Sequence, residues 1–184
     1  FAIGFGTRRV FGVTAACFAM LCTVIWPLTA DLHSSAGNLD HHNVQFLMMV
    51  FMAFAVIWPS RPIAAGIAGG FAAAFSLAVG LESLVFIVGV GLVVMVRAAV
   101  SGEAQDRRML IAFCLTLGAG SVLLWLGQTG PDVRMDLMCD QLGPPTLSLV
   151  AIAMIASLLS ILVAPQAARP MRSMGVAAVV TLGG

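Results

Sequence analysis

Met109-Leu-Ile-Ala-Phe-Cys-Leu-Thr-Leu-Gly-Ala-Gly-Ser-Val-Leu-Leu-Trp-Leu126 contains no charged residue over its whole length. As an α-helix it would rise about 27 Å, close to the roughly 30 Å hydrocarbon thickness of a bilayer. A helix on the surface of a soluble domain keeps a charged face. This one has none, so lipid is its solvent. Similar runs lie on either side of it, at Thr146–Ala164 beyond it and at Ser83–Val96, Ile63–Gly80, Val44–Trp58 and Val10–Leu28 before it. Each is bounded by polar residues or by Pro and Gly.

Composition agrees with this reading. Of 184 residues, 60% are hydrophobic and 9% charged, whereas a soluble domain carries roughly 25% charged residues. Nine basic and eight acidic side chains cannot coat a soluble fold of this length. A cytosolic enzyme, a nucleic-acid binder and a disordered tail are excluded. A bacterial outer-membrane barrel is excluded too, because its strands alternate apolar and polar residues and these runs do not. The predicted fold class is all-α: a polytopic transmembrane helix bundle of six full spans plus a truncated seventh, organised as a single domain over residues 1–184. The seventh run, Ser173 to Gly184, would rise only about 18 Å. Together with a first residue of Phe1, this leads us to expect a piece of a longer protein. No cleavable signal peptide is expected, since no Ala-x-Ala-like site follows Arg8, Arg9 and the first apolar run. Cys17, Cys22 and Cys114 fall inside apolar runs and Cys139 stands alone in a polar loop, so no disulfide is expected.

Charge distribution orients the spans. With Arg8 and Arg9 on the cytoplasmic side, alternation places Arg61, Arg97, Arg107, Arg108, Arg169 and Arg172 there as well, leaving only Arg134 outside. Positive residues accumulate on the cytoplasmic side of membrane proteins, so the N-terminus is predicted cytoplasmic in a cell inner (plasma) membrane. Asp31, Asp40, Glu82, Asp132, Asp136, Asp140 and all three histidines then face the extracytoplasmic side. Trp26 and Trp125 fall at the outer interface and Trp58 at the inner one, as aromatic belts require. The second and fourth runs are short, rising about 22 and 21 Å. Counting back a full span from Trp58 brings Asp40, His41, His42 and Asn43 into the first helical turn. Gly66-x-x-x-Gly70 in the third span reads as a small-residue face for close helix packing.

The densest polar segment is Asp31-Leu-His-Ser-Ser-Ala-Gly-Asn-Leu-Asp-His-His-Asn43. Asp40 suits a helix N-cap, where its oxygens accept free N–H groups at the positive end of the dipole. Alternatively, Asp40-x-His42 forms a metal pair, because residues i and i+2 of an extended backbone point the same way. On that geometry His41 points elsewhere. Glu82, in Gly80-Leu-Glu-Ser83, is either a hairpin acid at the interface or an acid facing a water-filled cavity shared with the 29–43 and 128–145 loops. Arg134, between Asp132 and Asp136, is either a loop ion-pair partner or a fork for phosphate. Haem is excluded as a partner, since no span carries an interior histidine. No His-Glu-x-x-His, Gly-x-Ser-x-Gly or Gly-rich phosphate loop occurs either.

At Gly37-Asn-Leu-Asp-His-His-Asn-Val-Gln45, opening an apolar helix on the outer face, the chain resembles the polytopic glycosyltransferases that use polyprenyl-linked sugars. It looks most like the catalytic subunit of oligosaccharyltransferases and its bacterial relatives. Ser76-Leu-Ala-Val-Gly-Leu-Glu-Ser83 is familiar from bacterial members. The resemblance spans roughly residues 10 to 100. It implies a divalent cation, Mg²⁺ or Mn²⁺, held by Asp40 and His42, with Asp40 catalytic. The partners it implies are the lipid bilayer and a polyprenyl-phosphate or pyrophosphate sugar donor. In such a site His41, Asn43, Glu82 and Arg134 are candidate substrate-binding residues. The family's first catalytic aspartate would precede Phe1 and its soluble acceptor domain would follow the membrane region. The competing readings are a transporter or channel subunit using the Asp/His/Glu site, and a non-catalytic assembly subunit.

Overall fold

The computed structural model describes residues 2–25, 41–57, 61–134 and 142–162. The truncated seventh run, Asp40, Trp26, Trp58, Cys139 and the other acids of the 29–43 and 128–145 loops lie outside the described residues, apart from Asp132. The described chain is helical throughout, without strands. Helix α1 is Ala2–Phe11 and α2 Val13–Ile25. Helix α3 is His41–Ile57, α4 Pro62–Val79, α5 Leu84–Ser101, α6 Ala104–Gln128 and α7 Pro144–Leu162. A single 3₁₀ turn, Leu81–Ser83, joins α4 to α5.

Four of these helices, α4 to α7, are long and apolar enough to cross a membrane. They correspond to the expected third to sixth spans, and where their ends differ the cause is local. Helix α5 continues past Val96 because Arg97 need not leave the helix. Its Nε lies 2.8 Å from Asp106 Oδ1, and an Nη1–H reaches the Val56 carbonyl at 3.3 Å. Helix α6 begins five residues before Met109 for the same reason, since Asp106 is buried in that ion pair. Helices α2 and α3 are shorter.

The first expected span also differs. The chain does not run straight through Gly12, which takes a left-handed φ of 89°, the region that favours glycine. Gly4 then lies against Met20, so α1 doubles back along α2 and Arg8 and Arg9 sit near the turn. Gly6 packs on the Phe54 ring near the end of α3.

Helix α4 is the axis of the bundle: 50% of it is buried inside the protein, against 22% of the Leu81–Ser101 segment and 11% of α7. Its small residues make this possible. A Cβ on Gly66 would fall on the Met109 carbonyl oxygen, and one on Gly70 would stand 2.5 Å from the Phe113 carbonyl oxygen and 3.0 Å from the Leu117 nitrogen. The contact of Gly120 with Ala74 continues the series, so α4 and α6 run parallel in near backbone contact. This is the close packing that the Gly-x-x-x-Gly pattern predicts. Helix α3 runs antiparallel to α4, with Ala55 beside Gly69 and Gln45 beside Gly80. Around this frame Met52, Ala73, Leu77, Ile87, Phe113 and Leu117 form one core cluster. Val56, Ala65, Val94, Ala98, Met109 and Leu110 form a second toward the other end. The outward faces stay apolar: Val85, Leu123 and Leu162 are all exposed, as lipid-facing residues must be.

Alternation of these helices sorts the polar residues by end. Arg8, Arg9, Arg61, Arg97, Arg107 and Arg108 lie toward the end where α3 and α5 finish. His41, His42, Glu82, Asp132 and Arg134 lie toward the other end.

Candidate functional site

Helix α3 opens with His41 and His42, so these residues form its first turn rather than an extended approach to it. Across from them, the α4–α5 connection is drawn tight by two bonds. The Gly80 N–H donates to the Ser76 carbonyl at 3.1 Å, and the Ser76 and Ser83 hydroxyls are bonded at 2.7 Å with both residues buried. Buried together, each hydroxyl is the other's hydrogen-bond partner. The 3₁₀ turn between them projects Glu82 toward α3.

The three side chains meet. His42 Nδ1 is 2.7 Å from Glu82 Oε2, and His41 Nε2 is 3.9 Å from Glu82 Oε1. The two imidazoles stand 4.0 Å apart between centroids, tilted by 36°. Their ligand-capable atoms and the carboxylate all lie within 4.8 Å of one another. Glu82 and His41 are more than half exposed and His42 is about one third exposed, so the cluster opens away from the protein. The expectation that His41 points away rests on extended geometry. Successive residues of a helix are about 100° apart rather than opposed, and both imidazoles therefore reach the same carboxylate.

Beneath the cluster lies Gln45, one turn further into α3 and buried at 4% exposure. Its side-chain nitrogen stands 2.6 Å from where a Gly80 Cβ would be, and it has no hydrogen-bond partner among the described residues. Sequence reasoning passed over Gln45 and the Ser76–Ser83 pair. The available signal was spacing: Gln45 follows His42 by three residues and His41 by four, which puts all three on one helix face.

The remaining candidates fall as follows. Asn43 is partly buried in the first turn of α3. Asp40, outside the described residues, immediately precedes that turn in sequence. Arg134 is bound to the end of α6, donating from Nε to the Thr129 carbonyl at 3.1 Å and from Nη2 to the Leu126 carbonyl at 3.0 Å. It caps carbonyls that a helix end leaves unsatisfied, and among the described residues it makes no ion pair.

Two imidazoles and a carboxylate match the donor set of a first-row divalent cation. Metal–ligand bonds of about 2.1 Å place neighbouring donors roughly 3.0–3.5 Å apart, a spacing that small side-chain rotations provide from the distances seen. The cluster spans two helices of different parentage, so a cation there would tie the start of α3 to the α4–α5 turn.

Comparison of the chain with protein-family models, with curated proteins and with solved structures finds no match.

Proposed function

We propose that this chain is the membrane region of a divalent-cation-dependent glycosyltransferase that takes sugar from a polyprenyl-phosphate or pyrophosphate donor. In this reading the His/Glu end of the bundle faces the extracytoplasmic side of the plasma membrane and the arginine-rich end the cytoplasm. The observation that carries the reading is the convergence of His41, His42 and Glu82 at the edge of an apolar bundle. A donor with its isoprenoid tail in lipid presents its phosphate at that depth. Transfer develops negative charge on the leaving phosphate, and a cation beside it stabilises that charge.

The donor set favours Mn²⁺ over Mg²⁺, because Mg²⁺ prefers oxygen ligands and keeps its waters, whereas imidazole suits later metals. His42, Glu82 and His41 would hold the cation, and Asp40, adjacent in sequence, would be a further ligand. Phosphate oxygens of the donor complete the shell. The placement of these groups at helix ends weighs against ion transport, which would set ionisable residues near the midplane on broken helices.

The test is Mn²⁺ binding to the purified protein in nanodiscs, read by the loss of the free-ion electron paramagnetic resonance signal. Sugar release from a synthetic polyprenyl-phosphate donor is measured in parallel. His42→Ala and Glu82→Gln should each weaken Mn²⁺ binding at least tenfold, with Asp40→Asn acting in the same direction, while helix content is unchanged. Unaltered binding in both the His42 and Glu82 variants would refute the metal centre. Because the resemblance puts a catalytic aspartate before Phe1, release is measured on the full-length protein; intact binding there with no release from any polyprenyl donor would refute the transferase and leave a structural cation.

A further inference from the structure

The arginine-rich end of the bundle contains a second site of different chemistry. Because Gly66 and Gly70 hold α4 and α6 parallel and in backbone contact, the two helices begin side by side. Between their first turns is a cleft of 550 Å³. Its polar wall is Arg61, Gln105 and Arg108, and its apolar wall descends α4 through Ile63 and Ile67. Arg61 and Arg108 are exposed, and neither forms an ion pair among the described residues.

Two features suit this cleft to an anion. Two guanidinium groups flank the cleft. Two helix N-termini, each with partial positive charge and unbonded first-turn N–H groups, converge on it. Neither terminus is closed by a side-chain cap, since Arg61 and Glu103 at the cap positions make no capping hydrogen bond. The acid in the first turn of α6, Asp106, is turned away into its pair with Arg97, so it does not neutralise the cleft. The Glu103 carboxylate is not part of the wall.

The apolar wall decides what kind of anion fits. Ile63 and Ile67 are each 49% exposed and continue from the charged rim along the lipid-facing side of α4. A free phosphate has no use for that strip, whereas a lipid places its phosphate at the rim and an acyl chain along it. We propose that the cleft is a binding site for the phosphate headgroup of an anionic phospholipid in the leaflet at the arginine-rich end. The proposal is independent of the chemistry at the opposite end of the bundle.

Native mass spectrometry of the protein released from nanodiscs of mixed phosphatidylglycerol and phosphatidylcholine provides the test. The wild type should retain phosphatidylglycerol preferentially. Arg61→Gln with Arg108→Gln should weaken that retention roughly twenty-five-fold, from about a fivefold effect per charge near an anionic surface. Arg8→Gln with Arg9→Gln, which changes the same net charge away from the cleft, should alter it less than threefold. Ile67→Asn should also weaken retention, because it breaks the acyl strip without touching charge. Arg61→Lys with Arg108→Lys, expected to fold and to keep most binding, separates charge loss from misfolding. Equal losses in the two arginine-pair variants would reduce the effect to bulk charge and overturn the site. Displacement of the lipid by millimolar inorganic phosphate would assign the cleft to free phosphate and overturn it as well.

Discussion

Gly70→Ala should pry α4 from α6, and the cost follows from the geometry. The new methyl would stand 2.5 Å from the Phe113 carbonyl oxygen and 3.0 Å from both the Leu117 nitrogen and the Thr116 Cβ. Two of these neighbours are backbone atoms of a continuous helix and cannot rotate aside. A comfortable carbon–oxygen contact is about 3.3 Å, so the helices must part by about 0.8 Å. A gap of that size forfeits a quarter to a half of each dispersion contact, and each is worth about 0.1–0.2 kcal/mol. Over a few tens of contacts the loss is about 2 kcal/mol, within the usual range for overpacked cores. Gly91 is the control: it is also helical and apolar in setting, but a Cβ there meets nothing within 4 Å. The assay is reversible unfolding in mixed micelles by titration with sodium dodecyl sulfate, followed by circular dichroism. Labelling of Cys114, buried on α6, would report separation of the helices directly. If Gly70→Ala and Gly91→Ala differ by less than about 0.5 kcal/mol, a typical threshold for an independent surface change, the close approach of α4 to α6 is wrong.

Two further substitutions follow. Arg97→Gln should destabilise by about 3 kcal/mol because it strands the Asp106 carboxylate, 7% exposed, without its partner. Asp106→Asn should cost clearly less, since the Arg97 side chain is 39% exposed and can turn to water; equal costs in the same titration would refute this asymmetry. Gly80→Ala is permitted by its extended backbone, φ 170°, but should displace the Gln45 amide and lower Mn²⁺ binding severalfold at nearly unchanged stability. Unchanged binding would remove Gln45 from the site's foundation.

Much of the bundle is legible in run length and charge, and the exceptions have physical causes. The third span is bounded by Pro62 and Gly80, residues that mark helix ends whatever surrounds them. The fourth reads too short because Arg97 looks like a terminus when considered alone. Only its pairing with Asp106 and the Val56 carbonyl lets the helix absorb it. The turn at Gly12 has no local mark, since apolar residues continue on both sides and glycine is tolerated within membrane helices. At the site, His42 and Glu82 are each conspicuous as polar residues at the ends of apolar runs, but their contact joins positions forty residues apart and depends on α3 packing antiparallel to α4. The reading of His41 as pointing away assumes an extended backbone through residues 40–42, whereas His41 and His42 are already helical.

The cluster joins elements of unequal firmness. Glu82 is carried by a turn that the Ser76–Ser83 bond fastens to α4, the most buried helix of the bundle. His41 and His42 ride on α3, whose buried residues in the half nearest them reduce to Gln45, with Met52, Ala55 and Val56 further along. A cation bridging the two would restrain the start of α3 against the α4–α5 turn, and its binding free energy would add to the stability of that packing. In the proposed transferase, a cation held there would meet the negative charge that develops on the leaving phosphate as the sugar departs. With Glu82 on the turn fastened to α4 and the imidazoles on α3, such a cation would sit at an exposed rim that a lipid-borne substrate could reach from the bilayer.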